Sequence, residues 1–301
     1  MVGAAGLVKL VILGAGGRLG AALARAWAAS DDVLGLAHAE IDLSIPGEIE
    51  RILGPLRFDA LVNCAALTNV DYCEAHEEEA MRINAGAVSE IGALCARKHA
   101  RCIHISTDYV FDGETGRPYT ETDPARAISV YGESKLRGEH ALFETSDAHL
   151  AVRVSWVFGP DRPSFIDGIL KRALESAAAE AIGDKWSAPS FTLDLATMLH
   201  PFLGGIPCAG LLHASNSGAC TWRDYGEHAL ECALRAGIPV KTTEVKSLPL
   251  ASMKAFVARR PVYTVLSTEK LAGLTGAPPR SWQAAIEDYV TNHVAPRFGK
   301  T

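Results

Sequence analysis

Val8-Lys9-Leu10-Val11-Ile12-Leu13, followed at once by Gly14-Ala15-Gly16-Gly17-Arg18-Leu19-Gly20, sets the architecture of this chain. Residues 8–13 form a short apolar run rich in β-branched side chains, the mark of a buried strand. Residues 21–29 are alanine-rich and have high helix propensity. Strand, glycine turn and helix in that order is the context in which a G-x-x-G-x-x-G spacing carries meaning. The glycines permit a tight turn and let backbone amides approach a pyrophosphate at the helix N-terminus. A glycine turn that merely packs a helix on a sheet would share the spacing; the flanking strand and helix favour the binding reading.

Outward from this unit, strand-like runs recur at 33–37, 60–65, 102–106 and 151–154, with helical segments at 46–53, 74–98 and 132–144. This alternation predicts an α/β fold, a Rossmann-type doubly wound parallel sheet covered on both faces. At Gly159-Pro160-Asp161-Arg162-Pro163 the pattern changes. The later sequence has irregular strands, scattered prolines and helical pieces at 222–236 and 281–292. Residues 1–160 are therefore expected to form a NAD(P)-binding Rossmann domain, and 161–301 mainly a smaller C-terminal α/β substrate lobe. The chain is expected to return to the main sheet near 190–214, through Gly210-Leu211-Leu212-His213.

Composition narrows the function classes. The chain has 301 residues, of which 48% are hydrophobic, and a net charge of −6. With no basic run, a nucleic-acid partner is not expected, while a phosphate-bearing small molecule is allowed. Seven cysteines, odd in number and without a CxxC pair, read as reduced thiols of a cytoplasmic protein. The apolar N-terminal run belongs to the strand–turn–helix unit and lacks a clear cleavage site. No uninterrupted apolar run approaches the roughly 18 residues of a membrane span.

Ligands of open α/β sheets sit at the C-terminal ends of strands. Those ends carry the glycine turn, then Asn63-Cys64-Ala65-Ala66-Leu67-Thr68, then Ser106-Thr107-Asp108-Tyr109, then Ser155-Trp156. Ala65 and Ala66 are small enough to admit a flat cofactor, and Thr68, Thr107 and Asp108 offer groups to orient it or its substrate. In Tyr131-Gly132-Glu133-Ser134-Lys135 a tyrosine and a lysine four residues apart share one helix face. A neighbouring ammonium lowers a phenol from its reference value of about 10, which makes a proton donor or acceptor near neutral pH. The acidic run Glu74-Ala75-His76-Glu77-Glu78-Glu79 reads as a solvated helix N-terminal turn. The histidines show no metal-ligand spacing, no metal is expected, and His104 reads as a hydrogen-bonded core residue.

On these residues the chain resembles the extended short-chain dehydrogenase/reductase superfamily, and within it the dTDP-4-dehydrorhamnose reductase family. The resemblance runs from about 8 to 290. It is carried by the glycine turn and Asn63-Cys64-Ala65-Ala66-Leu67-Thr68-Asn69-Val70-Asp71. Ser106-Thr107-Asp108-Tyr109-Val110-Phe111-Asp112-Gly113, the Tyr131–Glu139 segment, Arg153-Val154-Ser155-Trp156-Val157-Phe158-Gly159 and the late Arg260-Pro261 followed by Ser267-Thr268-Glu269-Lys270-Leu271 complete it.

The resemblance implies NAD(P)H-dependent reduction of the 4-keto group of a nucleotide-linked deoxysugar, dTDP-4-dehydro-L-rhamnose to dTDP-L-rhamnose. It implies Tyr131 as proton donor, Lys135 as its tuning partner on the nicotinamide ribose, and Thr107 as the third catalytic group. Thr107, Asp108 and Trp156 match positions at the sugar. Gly14, Gly17, Arg18, Leu19 and Gly20 match the pyrophosphate turn. Asp42 and Leu43 fall beside the adenine, and Ala65, Ala66, Leu67 and Thr68 beside pyrophosphate and ribose. A homodimer is compatible with the resemblance.

The second strand ends in Leu36-Ala37-His38, with no carboxylate before Glu40 and Asp42, so the ribose-binding acid that selects NAD is missing. With Arg18 as a cation near an adenosine 2′-phosphate, NADPH is expected as cofactor, with NADH also accepted. Gly183-Asp184-Lys185-Trp186-Ser187-Ala188-Pro189 departs at Lys185 and Ser187 from a family loop reading D-Q-x-G-x-P-T. Two alternatives stay open. One is an epimerase or dehydratase of the same superfamily, although Tyr109 stands where dehydratases carry glutamate. The other is a non-catalytic subunit like the regulatory subunit of methionine adenosyltransferase.

Overall fold

The computed structural model describes residues 8–298. Strand β1 (Lys9–Leu13) is buried beyond its first residue. Its side chains alternate between two apolar layers. Leu10 and Ile12 pack with Leu19, Leu23 and Trp27, while Val11 and Leu13 pack with Ile49, Leu53, Ile91 and Leu94. A strand apolar on both faces belongs inside a parallel sheet covered on both sides.

The elements that follow alternate: α1 (Arg18–Trp27), β2 (Asp32–Leu36), α2 (Glu48–Leu53), β3 (Ala60–Asn63), α3 (Val70–Ala75), α4 (Glu77–Met81), α5 (Ala87–Arg97), β4 (Arg101–Thr107), α6 (Val130–Phe143) and β5 (Leu150–Val154). The chain then builds β6 (Val157–Phe158), α7 (Phe165–Glu175), β7 (Ala179–Ile182), β8 (Trp186–Ser187), β9 (Ser190–Phe191) and α8 (Thr192–Leu199). Next, β10 (Gly210–His213) pairs in parallel with β5. The six-stranded sheet has the order β10-β5-β4-β3-β1-β2. Its direction of winding reverses between β1 and β3, which opens a crevice outside the carboxyl ends of those strands. The fold is a doubly wound parallel α/β sheet.

Beyond β10, the short strand β11 (Cys220–Thr221) and helix α9 (Trp222–Arg235) are followed by β12 (Val245–Leu248), α10 (Glu269–Thr275) and α11 (Trp282–Tyr289). A separate core of Phe158, Ile169, Phe191, Tyr225, Ile286 and Tyr289 binds α7, α9 and α11 together. Among the described residues no helix is long and apolar enough to cross a membrane.

Three departures from the sequence-based expectation have local causes. Helix α1 starts at Arg18, inside the glycine turn. Gly20 lies in its first turn, against the carbonyl of Gly14, where a Cβ would come within 2.3 Å of the oxygen. The expected helix 74–98 is broken at His76, whose backbone leaves the helical region at φ −135° and ψ 56°. It is then widened into a single π-turn at Arg82–Gly86, which carries Asn84 into the β3 loop. Helix α7 stands where irregular structure is expected after the 159–163 loop, and Ser164 and Asp167 form a capping box at its start.

Candidate active site

Two connected depressions lie along the crevice. The first, about 710 Å³, is lined by Gly14, Gly17, Asp42, Leu43, Ala65, Ala66 and Leu67, together with Ala37, His38, Ile83 and Arg162. The second, about 380 Å³, is lined by Gly17, Arg18, Leu19, Ala66, Thr68, Thr107, Asp108, Tyr131, Lys135 and Trp156. Gly17, Cys64 and Ala66 line both, so the two form one path. Of the residues singled out by sequence, only Gly20 lines neither; it packs α1 on the turn.

The loop after β3 is pinned by its own amides. Ala65 N–H donates to Asn63 Oδ1 at 3.0 Å, and Leu67 N–H donates to Asn84 Oδ1 at 2.8 Å. Asn84 Nδ2 in turn donates to Leu67 O and to Ser134 Oγ on α6. The π-turn thus fastens the cofactor-side loop to the helix that carries Tyr131.

Ser129 caps α6 by accepting from Gly132 N–H at 3.2 Å. Gly132 rests on the carbonyl of Tyr109, only 2.2 Å from where a Cβ would stand. That close approach brings the first turn of α6 onto the end of β4 and sets Tyr131 beside Thr107. The Tyr131 phenol is pushed above its ordinary value by burial, with Asp108 and Cys73 acting in the same sense and a hydrogen bond with Thr107 opposing. This differs from the expectation that Lys135 lowers it. Lys135 turns its nitrogen to β4, 3.0 Å from His104 Nε2 and 2.7 Å from Ile105 O. Burial brings the Lys135 ammonium down to about 8 against the opposing pull of Glu139.

Thr107 Oγ1 accepts from Tyr109 N–H at 3.2 Å and donates to Asp108 Oδ1 at 3.2 Å. Asp108 is buried, and Ser155 Oγ donates to its other oxygen at 2.8 Å. Burial raises its carboxyl, opposed chiefly by Lys185. Lys185, the residue at which the family loop pattern fails, is itself buried. Its Nζ donates to Pro261 O at 2.7 Å and stands 5.1 Å from the Tyr109 ring.

Among the described residues Trp156 is one of two non-glycine residues with positive φ, at 44°. Such a conformation costs about 1–3 kcal/mol and persists where the surroundings enforce it. Here Trp222, Phe165 and Tyr225 surround the indole with centroids 5.2, 5.3 and 4.4 Å away. The ring therefore joins the lobe core and still presents an edge to the cleft.

Arg18 lines the smaller depression and not the larger one. Its Nε lies 3.4 Å from Arg162 O, and a second nitrogen donates to Pro163 O. The guanidinium in the larger groove is that of Arg162, whose Nε and a terminal nitrogen donate to Gly16 O at 2.9 and 2.7 Å. In the sequence Arg162 stands in a proline-flanked loop. The neighbouring prolines and glycine gave no sign that the loop folds back over the turn.

A tyrosine phenol and a lysine nitrogen at the strand ends, beside a groove with a glycine turn at its floor, form the layout of an extended short-chain dehydrogenase/reductase. Comparisons narrow the class. The family model described as RmlD substrate binding domain matches residues 8–295. A dTDP-4-dehydrorhamnose reductase of Burkholderia thailandensis is 33% identical over 290 residues, which covers 93% of this chain and 97% of that protein. Its Escherichia coli namesake is 34% identical over 93% of this chain and 96% of its own. The crystal structure of dTDP-4-dehydrorhamnose reductase from Bacillus anthracis in complex with NADP superposes with a TM-score of 0.87. It has 25% identity and covers 94% of this chain and 98% of that one. The chain belongs to the dTDP-4-dehydrorhamnose reductase family.

Proposed function

We propose that this protein reduces the 4-keto group of a nucleotide-linked deoxysugar with NADPH, converting dTDP-4-dehydro-L-rhamnose to dTDP-L-rhamnose. The observation that carries the reading is the meeting of Thr107, Tyr131 and Lys135 on the wall of a cleft continuous with a dinucleotide-sized groove.

The chain's residues fit the cofactor. Helix α1 has no side-chain cap at Gly17 and no acidic residue in its first turn. Its first N–H groups are thus left for a phosphate. Gly14 has φ 76°, and a Cβ there would lie 2.7 Å from Ala65 N, so only glycine allows the turn and the β3 loop to meet. Gly14, Gly17, Asp42, Leu43, Ala65, Ala66 and Leu67 would hold adenosine and pyrophosphate. Thr68, Tyr131 and Lys135 would hold the nicotinamide riboside. When bound, the nicotinamide supplies a hydride.

Tyr131 Oη supplies the proton to the oxygen on sugar C4. A phenol held above its ordinary value stays protonated at neutral pH, the form a donor requires. Thr107 holds the substrate oxygen and the Tyr131 hydroxyl in register. Asp108 offers a buried acceptor to a sugar hydroxyl, and Trp156 offers an apolar edge to the ring. Dehydration lacks its glutamate base, because the Tyr109 phenol at that position is pushed up by burial and stays protonated. We place the reaction in the cytoplasm, in keeping with seven unpaired thiols.

The test is NADPH oxidation followed by absorbance on adding dTDP-4-dehydro-L-rhamnose, with the product identified by NMR. Stoichiometric dTDP-L-rhamnose is expected. Retained NAD⁺ with C4 inversion and no net oxidation would indicate an epimerase. A stoichiometric synthetase partner without turnover would indicate a regulatory subunit.

Phosphate selectivity is assigned to the larger groove. NADPH is expected to exceed NADH in kcat/KM. Arg162→Ala is expected to shrink that ratio by about tenfold, the worth of a charge-assisted hydrogen bond. Arg18→Ala is expected to leave the ratio unchanged. A ratio that responds to Arg18 and not to Arg162 would refute the assignment.

A further inference from the structure

Lys135 ends a buried chain of hydrogen bonds whose directions can be worked out atom by atom. The Ala65 N–H donates to Asn63 Oδ1 at 3.0 Å. Only the oxygen of the amide can meet a backbone N–H, so the amide nitrogen faces His104, 3.1 Å from Nδ1. An amide nitrogen can only donate. Nδ1 is therefore the acceptor, and in a neutral imidazole the proton then sits on Nε2. That Nε2–H points at Lys135 Nζ, 3.0 Å away. It needs a lone pair there, which an amine has and an ammonium lacks. The amine still donates one of its own hydrogens to Ile105 O at 2.7 Å. Asn63 and His104 are 0% exposed and Lys135 1%, so each of these bonds is costly to leave unmade.

We propose that His104 is a positioning residue that docks Lys135 as a neutral amine in the free protein, and that binding of the nicotinamide cofactor takes up one proton from solvent at Nζ. The step is Lys135–NH₂ plus H⁺ giving Lys135–NH₃⁺. The ammonium finds no acceptor at Nε2–H and turns into the cleft that Lys135 lines. The inference rests on the cofactor assignment above.

The surrounding charges agree. Glu139, one turn further along α6, is the carboxylate that favours the ammonium. It is already engaged by Arg153 through two bonds of 2.8 and 2.6 Å. Cys64, from the end of β3, is held as a thiol, pushed up to about 12 by burial. Tyr131, on the same helix, is a neutral phenol. Burial drives His104 well below the usual imidazole range, so it does not carry the charge instead. With the ammonium near 8, amine and ammonium are both accessible close to neutral pH.

Asn63→Asp tests this with a change of one atom. Both carboxylate oxygens accept, so Ala65 N–H keeps its partner while the second oxygen requires Nδ1–H from His104. Nε2 then becomes an acceptor and holds Lys135 as the ammonium from the start. NADPH binding is measured by calorimetry at roughly pH 8.5 in buffers of different ionisation enthalpy, without sugar. Uptake of roughly one proton per site is expected for the wild type and close to none for Asn63→Asp. Lys135→Met sets the background from other groups. Equal uptake by wild type and Asn63→Asp, or none by the wild type, overturns the proposal.

Imidazole ¹⁵N NMR of the free wild type, with the resonance assigned through His104→Gln, provides a second reading that needs no cofactor. The Nε2-protonated tautomer is expected, and the Nδ1-protonated one overturns the proposal. If NADPH does not bind, the cofactor assignment fails, and the tautomer still decides the role of His104.

Discussion

Tyr131→Phe is expected to lower kcat by about 10²–10⁴-fold, the usual worth of a positioned general acid, while KM for the keto-sugar and Kd for NADPH change little. The rate loss corresponds to about 3–5 kcal/mol of transition-state stabilisation. The ring itself is fixed independently of its hydroxyl. It packs edge-on to Tyr109 with centroids 5.8 Å apart and clusters with Cys73, Ala80, Leu67 and Val70. Phenylalanine keeps those contacts and removes only the hydroxyl. The loss should therefore appear in the chemical step and not in binding or folding. Single-turnover NADPH oxidation with saturating sugar separates these quantities. Equal rates for the two proteins would remove Tyr131 from the reaction.

Arg153→Met is expected to destabilise the fold by about 3–5 kcal/mol, the cost of leaving a buried charge without its partner. Arg153 and Glu139 are 2% and 1% exposed and meet through two nitrogens and both carboxylate oxygens. Ser106 also donates to Glu139, and the Arg153 guanidinium lies over Phe111, 4.9 Å from its centroid. The pair ties β5 to α6 directly behind Lys135. Removing the arginine strands a carboxylate under the site. Glu139→Gln with Arg153→Met replaces both charges and should recover much of the loss, because buried pairs contribute little net stability against neutral substitutes. Urea unfolding of the two single variants and the double variant, read as a cycle, gives the coupling. A strictly additive cycle would contradict the pairing.

What could be read from the sequence was what depends on local pattern. The run 8–13 reads as a buried strand because it is short, rich in β-branched residues and closed by a glycine turn. The glycine turn has meaning because a strand precedes it and a helix follows. Tyr131 and Lys135 share a face through helix periodicity alone, and Leu211 and Leu212 within a β-capable run betrayed the return to the sheet. What could not be read depends on approach between distant segments. The break at His76 and the π-turn at Arg82–Gly86 run against the helix propensity of that segment, and Asn84's bonds to the β3 loop and α6 support them. Arg162 reaches the turn only because its loop folds back across the groove. His104 looked like a core histidine and is one, yet its second nitrogen meets Lys135. Lys185 showed itself only as a departure from a family loop. Its burial near Asp108 follows from how residues 184–187 pass under 261–264.

The central claim, reduction at sugar C4 by hydride from NADPH, is tested most directly by isotope transfer. NADPH carrying deuterium at the transferring position of nicotinamide C4 is mixed with dTDP-4-dehydro-L-rhamnose and the wild-type protein, and the sugar is analysed by NMR and mass spectrometry. One deuterium at C4 of dTDP-L-rhamnose for each NADPH oxidised is the predicted result. NADPH oxidation without label in the sugar, or saturable binding of both ligands without any transfer, would contradict it.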